Sequence, residues 1–256
     1  MSPKEGNVMN KLVLVTAALT AAVVSCSSST TVPAADAGKD AVGEGGGNTF
    51  AQTGQIVDFN TSKGVVGATV TAGTVTTTTD ATGKYTLNVP KDTAYSMTIT
   101  APNYLKLIEQ EWKLTGDADR GKTSFVDAAT QQTLQNALSG YDQKLAVFSM
   151  EVKKKGACAA VDGATIAMAN QGAAIIKYFK GGFPSNTATS VTEGQLPSAV
   201  IYNVTPGTQV VITVTHPTCK QVAFPVADPN IPTILYTGNV TTEGGPAASF
   251  TRLYVE

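Results

Sequence analysis

The chain is poor in charge, in histidine and in cysteine. Only 14% of its 256 residues are Asp, Glu, Lys or Arg, and the formal net charge is −1. A near-neutral chain has no general attraction for nucleic acid or for anionic lipid, so nucleic acid is excluded as a partner. A single histidine, His216, excludes a histidine-rich metal centre, and no serine sits in a Gly-x-Ser-x-Gly elbow. One tryptophan, Trp112, leaves little for an aromatic sugar platform and reads as core. No apolar run reaches the ~20 residues of a membrane-spanning helix. The composition therefore points to no catalytic residue, no metal and no cofactor.

The longest apolar run, Leu12–Val24, follows Met9-Asn10-Lys11 and ends in Ser25-Cys26. A positive start, a short apolar core and a small residue before the cut make residues 1–25 an export signal, with either Met1 or Met9 as its start. Val23-Val24-Ser25-Cys26 resembles the bacterial lipobox. That resemblance implies a diacylglycerol thioether on Cys26, acylation of the new amino terminus, and a membrane anchored through N-terminal lipid. Several acyl chains hold far better than one, since each buried methylene contributes about 0.8 kcal/mol. Ser27 and Ser28, in place of an aspartate, point by the enteric rule to the outer membrane. Residues 26–49 are Ser, Thr, Ala, Asp and Gly, too polar and small to fill a core, and read as a tether.

From Phe50 the texture becomes short alternating runs rich in threonine and valine, the pattern of strands. Gly67-Ala68-Thr69-Val70, Thr79-Asp80-Ala81-Thr82-Gly83-Lys84-Tyr85, Val89-Pro90 and Ala101-Pro102-Asn103-Tyr104 together resemble the carboxypeptidase regulatory-like domain. The resemblance spans about residues 54–107 and implies a small prealbumin-like, or Ig-like, β-sandwich; it says little about function. Asn103 stands where that family has glycine, a mild departure because Asn tolerates left-handed backbone. The family's catalytic companion, with its zinc motif, has no counterpart in the chain.

A second copy is legible. Displaced by 115, Tyr85–Tyr104 overlies Val200–Cys219 without a gap, sharing Asn88/Asn203, Val89/Val204 and Pro102/Pro217 among other positions. Gly163-Ala164-Thr165-Ile166 repeats Gly67–Val70 at a displacement of 96, so the second copy carries an insertion around residues 177–193. The expected architecture is mainly β: two tandem prealbumin-like β-sandwiches, at residues 50–114 and 146–256. A linker at 115–145 carries one helix, Asp127–Leu138, with Asp127 as N-cap and Gly140 as its stop.

With Cys26 consumed by lipid, Cys158 and Cys219 remain, and an even pair in an exported chain reads as a disulfide. The repeat supports it: their counterparts in the first copy, Ser62 and Tyr104, are then neighbours as well. His216 aligns with Ala101 and reads as a strand-end residue rather than a base. Gly116-Asp117-Ala118-Asp119-Arg120-Gly121 has the alternating aspartates of a calcium loop but lacks its closing glutamate, and reads as a solvated turn. Lys153-Lys154-Lys155 reads as a solvated strand end.

These readings sum to a lipid-anchored cell-envelope protein with a non-catalytic binding or structural role, its candidate partners an envelope protein or a polysaccharide. Carbohydrate binding, as a rival, needs exposed aromatics, and Tyr178, Phe179 and Phe183 in the inserted segment are the candidates. An unrecognised hydrolase is the other rival and needs convergent polar groups in a pocket.

Overall fold

A computed structural model of the chain describes residues 47–256, save 170, 196, 207–209 and 241–246. The export signal, Cys26 and nearly all of the tether lie outside the described residues. The strands are β1 (Thr49–Asp58), β2 (Thr69–Ala72), β3 (Val75–Thr78), β4 (Lys84–Pro90), β5 (Met97–Thr100), β6 (Lys106–Glu109), β7 (Trp112–Leu114) and β8 (Ala118–Phe125). After helix α1 (Ala128–Asn136) come β9 (Ala146–Lys154), β10 (Thr165–Met168), β11 (Ile175–Lys180), β12 (Phe183–Pro184), β13 (Ala199–Val204), β14 (Ile212–Thr215), β15 (Val226–Ala227), β16 (Ile234–Tyr236) and β17 (Ala247–Val255). The architecture is mainly β, built as a sandwich, with one short helix among the described residues.

The alternation of the sequence explains the layers. In β4 Lys84, Thr86 and Asn88 face solvent while Tyr85, Leu87 and Val89 are buried. The turn before it needs Gly83: its φ is +81°, and a Cβ there would stand 2.4 Å from the Ile56 carbonyl oxygen. β1 pairs antiparallel with β4 and parallel with β8, forming one layer. β6, β5, β2 and β3 face it, and Ile56, Val70, Leu87, Met97, Ile99 and Trp112 fill the space between.

The second half pairs its strands in the same way. β9 pairs antiparallel with β13 and parallel with β17. β2 and β5 set Thr69 opposite Thr100 and Val70 opposite Ile99; β10 and β14 set Thr165 opposite Thr215 and Ile166 opposite Val214. Those are the same pairs at displacements of 96 and 115. The halves part company beyond this strand pair, because β3 pairs with β2 whereas β11 pairs with β13. The inserted residues thus form the outermost strands, β11 and β12, of a nine-stranded sheet.

Two expected boundaries are corrected. Residues 115–125, read as linker, contain β8, an integral strand of the first sandwich. Their polar residues and Gly121 disguise the period, because a bulge puts both Asp119 and Lys122 on the outer face. The halves are also not separate beads: the described residues form one compact unit. The nine-stranded sheet runs through both, with β17 parallel to β9 on one side and to β6 on the other. Val226, Ile234, Tyr236 and Tyr254, expected in a second sandwich, belong to the core of the first. The helix is shorter than its expected span, Asp127–Leu138, and its N-cap is as expected: Asp127 Oδ1 accepts the Thr130 amide at 2.6 Å.

Candidate functional site

Cys158 and Cys219 are joined by a disulfide, with Cα atoms 5.8 Å apart. In the first half Tyr104 and the Ser62 turn meet on Asp58: the Tyr104 hydroxyl donates to Asp58 Oδ2 at 2.9 Å, and the Ser62 amide donates to the Asp58 carbonyl. Hydrogen bonds from the Thr61 hydroxyl and amide hold the Asp58 carboxyl below the usual carboxylate range.

His216 was not expected beside the disulfide, yet its nitrogen and both sulfurs lie within 4.8 Å of one another. His216-x-x-Cys219 was the signal available. Bonded sulfurs are not thiolates, so this set does not ligate a metal in the form described. His216 Nδ1 accepts the amides of Thr218 and Cys219, at 3.2 and 3.0 Å, and so is the unprotonated ring nitrogen.

The inserted aromatics do not form a platform, which corrects the expectation for them. Tyr178 and Phe179 are consecutive in β11 and point to opposite faces, each into a different cluster of buried side chains. The Tyr178 hydroxyl accepts the Ile166 amide at 2.8 Å. Only Phe183 is exposed, at 61%. Trp112 is fully buried, edge-on to Tyr95 and Tyr236 and stacked under Arg120. The aspartates of 116–121 are spent on backbone: Asp117 accepts the Ala51 amide and Asp119 the Gly121 amide. Lys154 reaches Glu193 at 3.1 Å and Lys153 reaches Glu151 at 3.6 Å, so the lysine cluster is partly paired.

A cleft of about 770 Å³ lies elsewhere, over the outer face of β4, β1 and β8. Register places its residues in two rows. Gln55 stands opposite Lys84 on one side and Lys122 on the other; Thr53 stands opposite Thr86 and Asp119. Gly54, between Thr53 and Gln55, faces inward, where a Cβ would stand 2.7 Å from the Tyr85 hydroxyl. Gly121, at φ +63°, supplies the bulge that widens the face. Thr77 and Thr78 at the end of β3, with Asp80, close one side. Asp80 Oδ1 accepts the amides of Thr82 and Lys84 and the Thr82 hydroxyl, which together hold its carboxyl below the usual range. Gln55 Nε2 donates to the Thr82 carbonyl at 2.7 Å. Neither Lys84 nor Lys122 has an ion-pair partner among the described residues. This site went unread in the sequence because Lys122 has no place on the face until β8 is recognised as a strand.

Such an arrangement is a polar, solvent-open cleft on the framework of a small sandwich. Residues 53–126 match the carboxypeptidase regulatory-like domain, and that segment holds every residue lining the cleft. The match ends at 126, just after β8. No curated protein matches the chain.

Proposed function

We propose that the chain is a lipid-anchored protein of the bacterial cell envelope, held at the outer membrane, in which two copies of one prealbumin-like sandwich form a non-catalytic binding scaffold. The observation that carries the reading is the union of the halves. The strand pairs β2–β5 and β10–β14 share one register, and β17 joins β6 of the first half to β9 of the second in one nine-stranded sheet. A unit built this way offers long polar faces with fixed spacing, which suits binding along an extended partner. The two candidate chemical groups outside the cleft are committed to structure, the cysteines to each other and His216 Nδ1 to backbone amides. The lipobox ending at Cys26 supports the anchor.

Carbohydrate is the favoured ligand class over a protein partner. The cleft is lined by threonine hydroxyls, a glutamine amide, ammonium groups and carboxylates, the mix of donors and acceptors that vicinal diols take up. Cys26→Ser should move the protein from the detergent phase to the aqueous one and abolish labelling by a fatty-acid analogue; unchanged partitioning removes the anchor. A glycan array probed with the detergent-purified full chain should give saturable binding without turnover of the bound glycan. Cleavage of an array ligand would replace the scaffold by a hydrolase.

A further inference from the structure

We infer that the cleft over β4, β1 and β8 binds the carboxylate of an acidic polysaccharide, with Lys84 and Lys122 as the anion clamp and the Thr53 row as the hydroxyl reader. The inference rests on the scaffold reading above and names the ligand of its cleft.

Two cations in one transverse row are the starting point. Lys84 and Lys122 both pair with Gln55, so they stand two strands apart on one face. Neighbouring strands lie ~4.8 Å apart, which puts the two backbones about 10 Å from each other. Flexible lysine stems from that distance can converge over Gln55 on one anion. Neither lysine has an ion-pair partner among the described residues. Two carboxylates line the same cleft. Asp80 attracts Lys84 while its Oδ1 is held by its own turn, and Asp119, in the next row, is bound through Oδ1 to Gly121. Asp119 instead extends the polar row Thr86–Thr53–Asp119, whose oxygens accept from hydroxyls.

The rows therefore differ in chemistry: one is cationic, the next is hydroxyl and carboxylate. A ligand matching both bears an anion and vicinal hydroxyls about 7 Å, or two strand residues, apart. A uronic acid within a polysaccharide has that pattern. The cleft is open at the surface and needs no chain end, so an internal sugar of a polymer can lie across it. A simple phosphate satisfies the cations and leaves the second row unused; a neutral glycan does the reverse.

The test uses detergent-purified full chain and three probes: oligogalacturonate, its methyl ester and dextran sulfate, measured by titration calorimetry at low and physiological salt. Oligogalacturonate should bind, the methyl ester should bind at least about tenfold more weakly, and added salt should weaken the acid form. K84Q with K122Q should cost at least about tenfold, while K144Q, on the exposed turn before β9, changes nothing. T53A should weaken the uronate without altering the salt dependence. Circular dichroism of each variant separates lost binding from lost fold, and the lysines are exposed enough for the fold to survive. Absence of oligogalacturonate binding, equal binding of the ester, insensitivity to K84Q/K122Q, or binding of dextran sulfate alone each overturns the inference. A different array ligand that ignores these lysines leaves the scaffold reading standing and removes only this site.

Discussion

Arg120 of β8 donates to Glu109 of β6 at 2.6 Å across the inside of the first sandwich, with each side chain only 4% exposed. The pair joins the two layers, and the guanidinium lies 4.1 Å from the Trp112 ring centre. Charges this deep are costly to bury and far costlier to leave alone. Glu109→Ala strands the guanidinium and should cost about 3–5 kcal/mol in urea unfolding. Arg120→Met with Glu109→Leu should cost much less, because no charge is then left unpaired. Equal losses for the single and double variants would remove the pairing argument.

The Cys158–Cys219 bond closes a 61-residue separation. In the chain-entropy account that loop is worth about 4 kcal/mol. Cys158→Ala with Cys219→Ala, or reduction, should lower stability by an amount of that order and widen hydrogen exchange in the second half first. Non-reducing peptide mapping should recover the linked pair; two free thiols would remove it.

Alkali should unfold the protein through its buried phenols. Burial pushes Tyr95 and Tyr236 each up to about 12, and raises Tyr85 and Tyr254 too. In the unfolded chain these phenols ionise near 10. Below that value both states hold the proton, and stability is unaffected. Between about 10 and 12 the unfolded chain loses protons that the fold retains, so stability falls with rising pH. Urea midpoints should be flat from pH 7 to about 9 and drop beyond 10. Phenolate absorbance should then show a late-titrating subset of tyrosines; a single early titration of all of them would contradict the burial.

The core strands and the disulfide were legible because each depends on local pattern. Alternation in Lys84–Pro90 marks its buried face directly, and the repeat aligned Cys158 with Ser62 and Cys219 with Tyr104. β8 was illegible because the bulge at Gly121 breaks the period-2 rhythm just where its residues turn charged. The cleft was lost with it, since Lys122 has no partners on a face until β8 is placed beside β1. The insertion misled for another reason: its aromatics were weighed as a group, whereas successive strand residues diverge. Tyr178→Ala and Phe179→Ala should therefore destabilise by about 3–5 kcal/mol and leave glycan binding unchanged, while Phe183→Ala should stay within about 0.5 kcal/mol of the parent. The union through β17 has no local signature at all, because parallel pairing to two distant strands is invisible in either repeat.

That union should make the two halves unfold as one cooperative unit. β17 lies between β6 and β9, parallel to both, with Ser249 opposite Ile108 and Phe148. Gln110, just beyond β6, reinforces the seam. Its amide donates to the Phe250 carbonyl at 2.9 Å, and its Oε1 accepts the Thr251 hydroxyl at 2.8 Å and the Arg252 amide. On the other side Arg252 Nε meets Glu151 at 3.1 Å, and its Nη1 donates to Tyr236, whose ring lies in the first core. A defect in β17 should thus be felt on both sides. Leu253→Pro removes a ladder donor from a central strand and should cost about 3 kcal/mol or more. Gln110→Ala keeps the backbone bond to Phe250, loses only the two Oε1 bonds to Thr251 and Arg252, and should cost about 1–3 kcal/mol. Trp112, the single tryptophan, reports the first core, and exchange protection of β10 and β14 reports the second. In the parent both should change at one denaturant concentration, and in either variant both midpoints should fall together. A fall confined to the second half, with the Trp112 transition unmoved, would mean that β17 belongs energetically to one sandwich and that the shared sheet is only a contact.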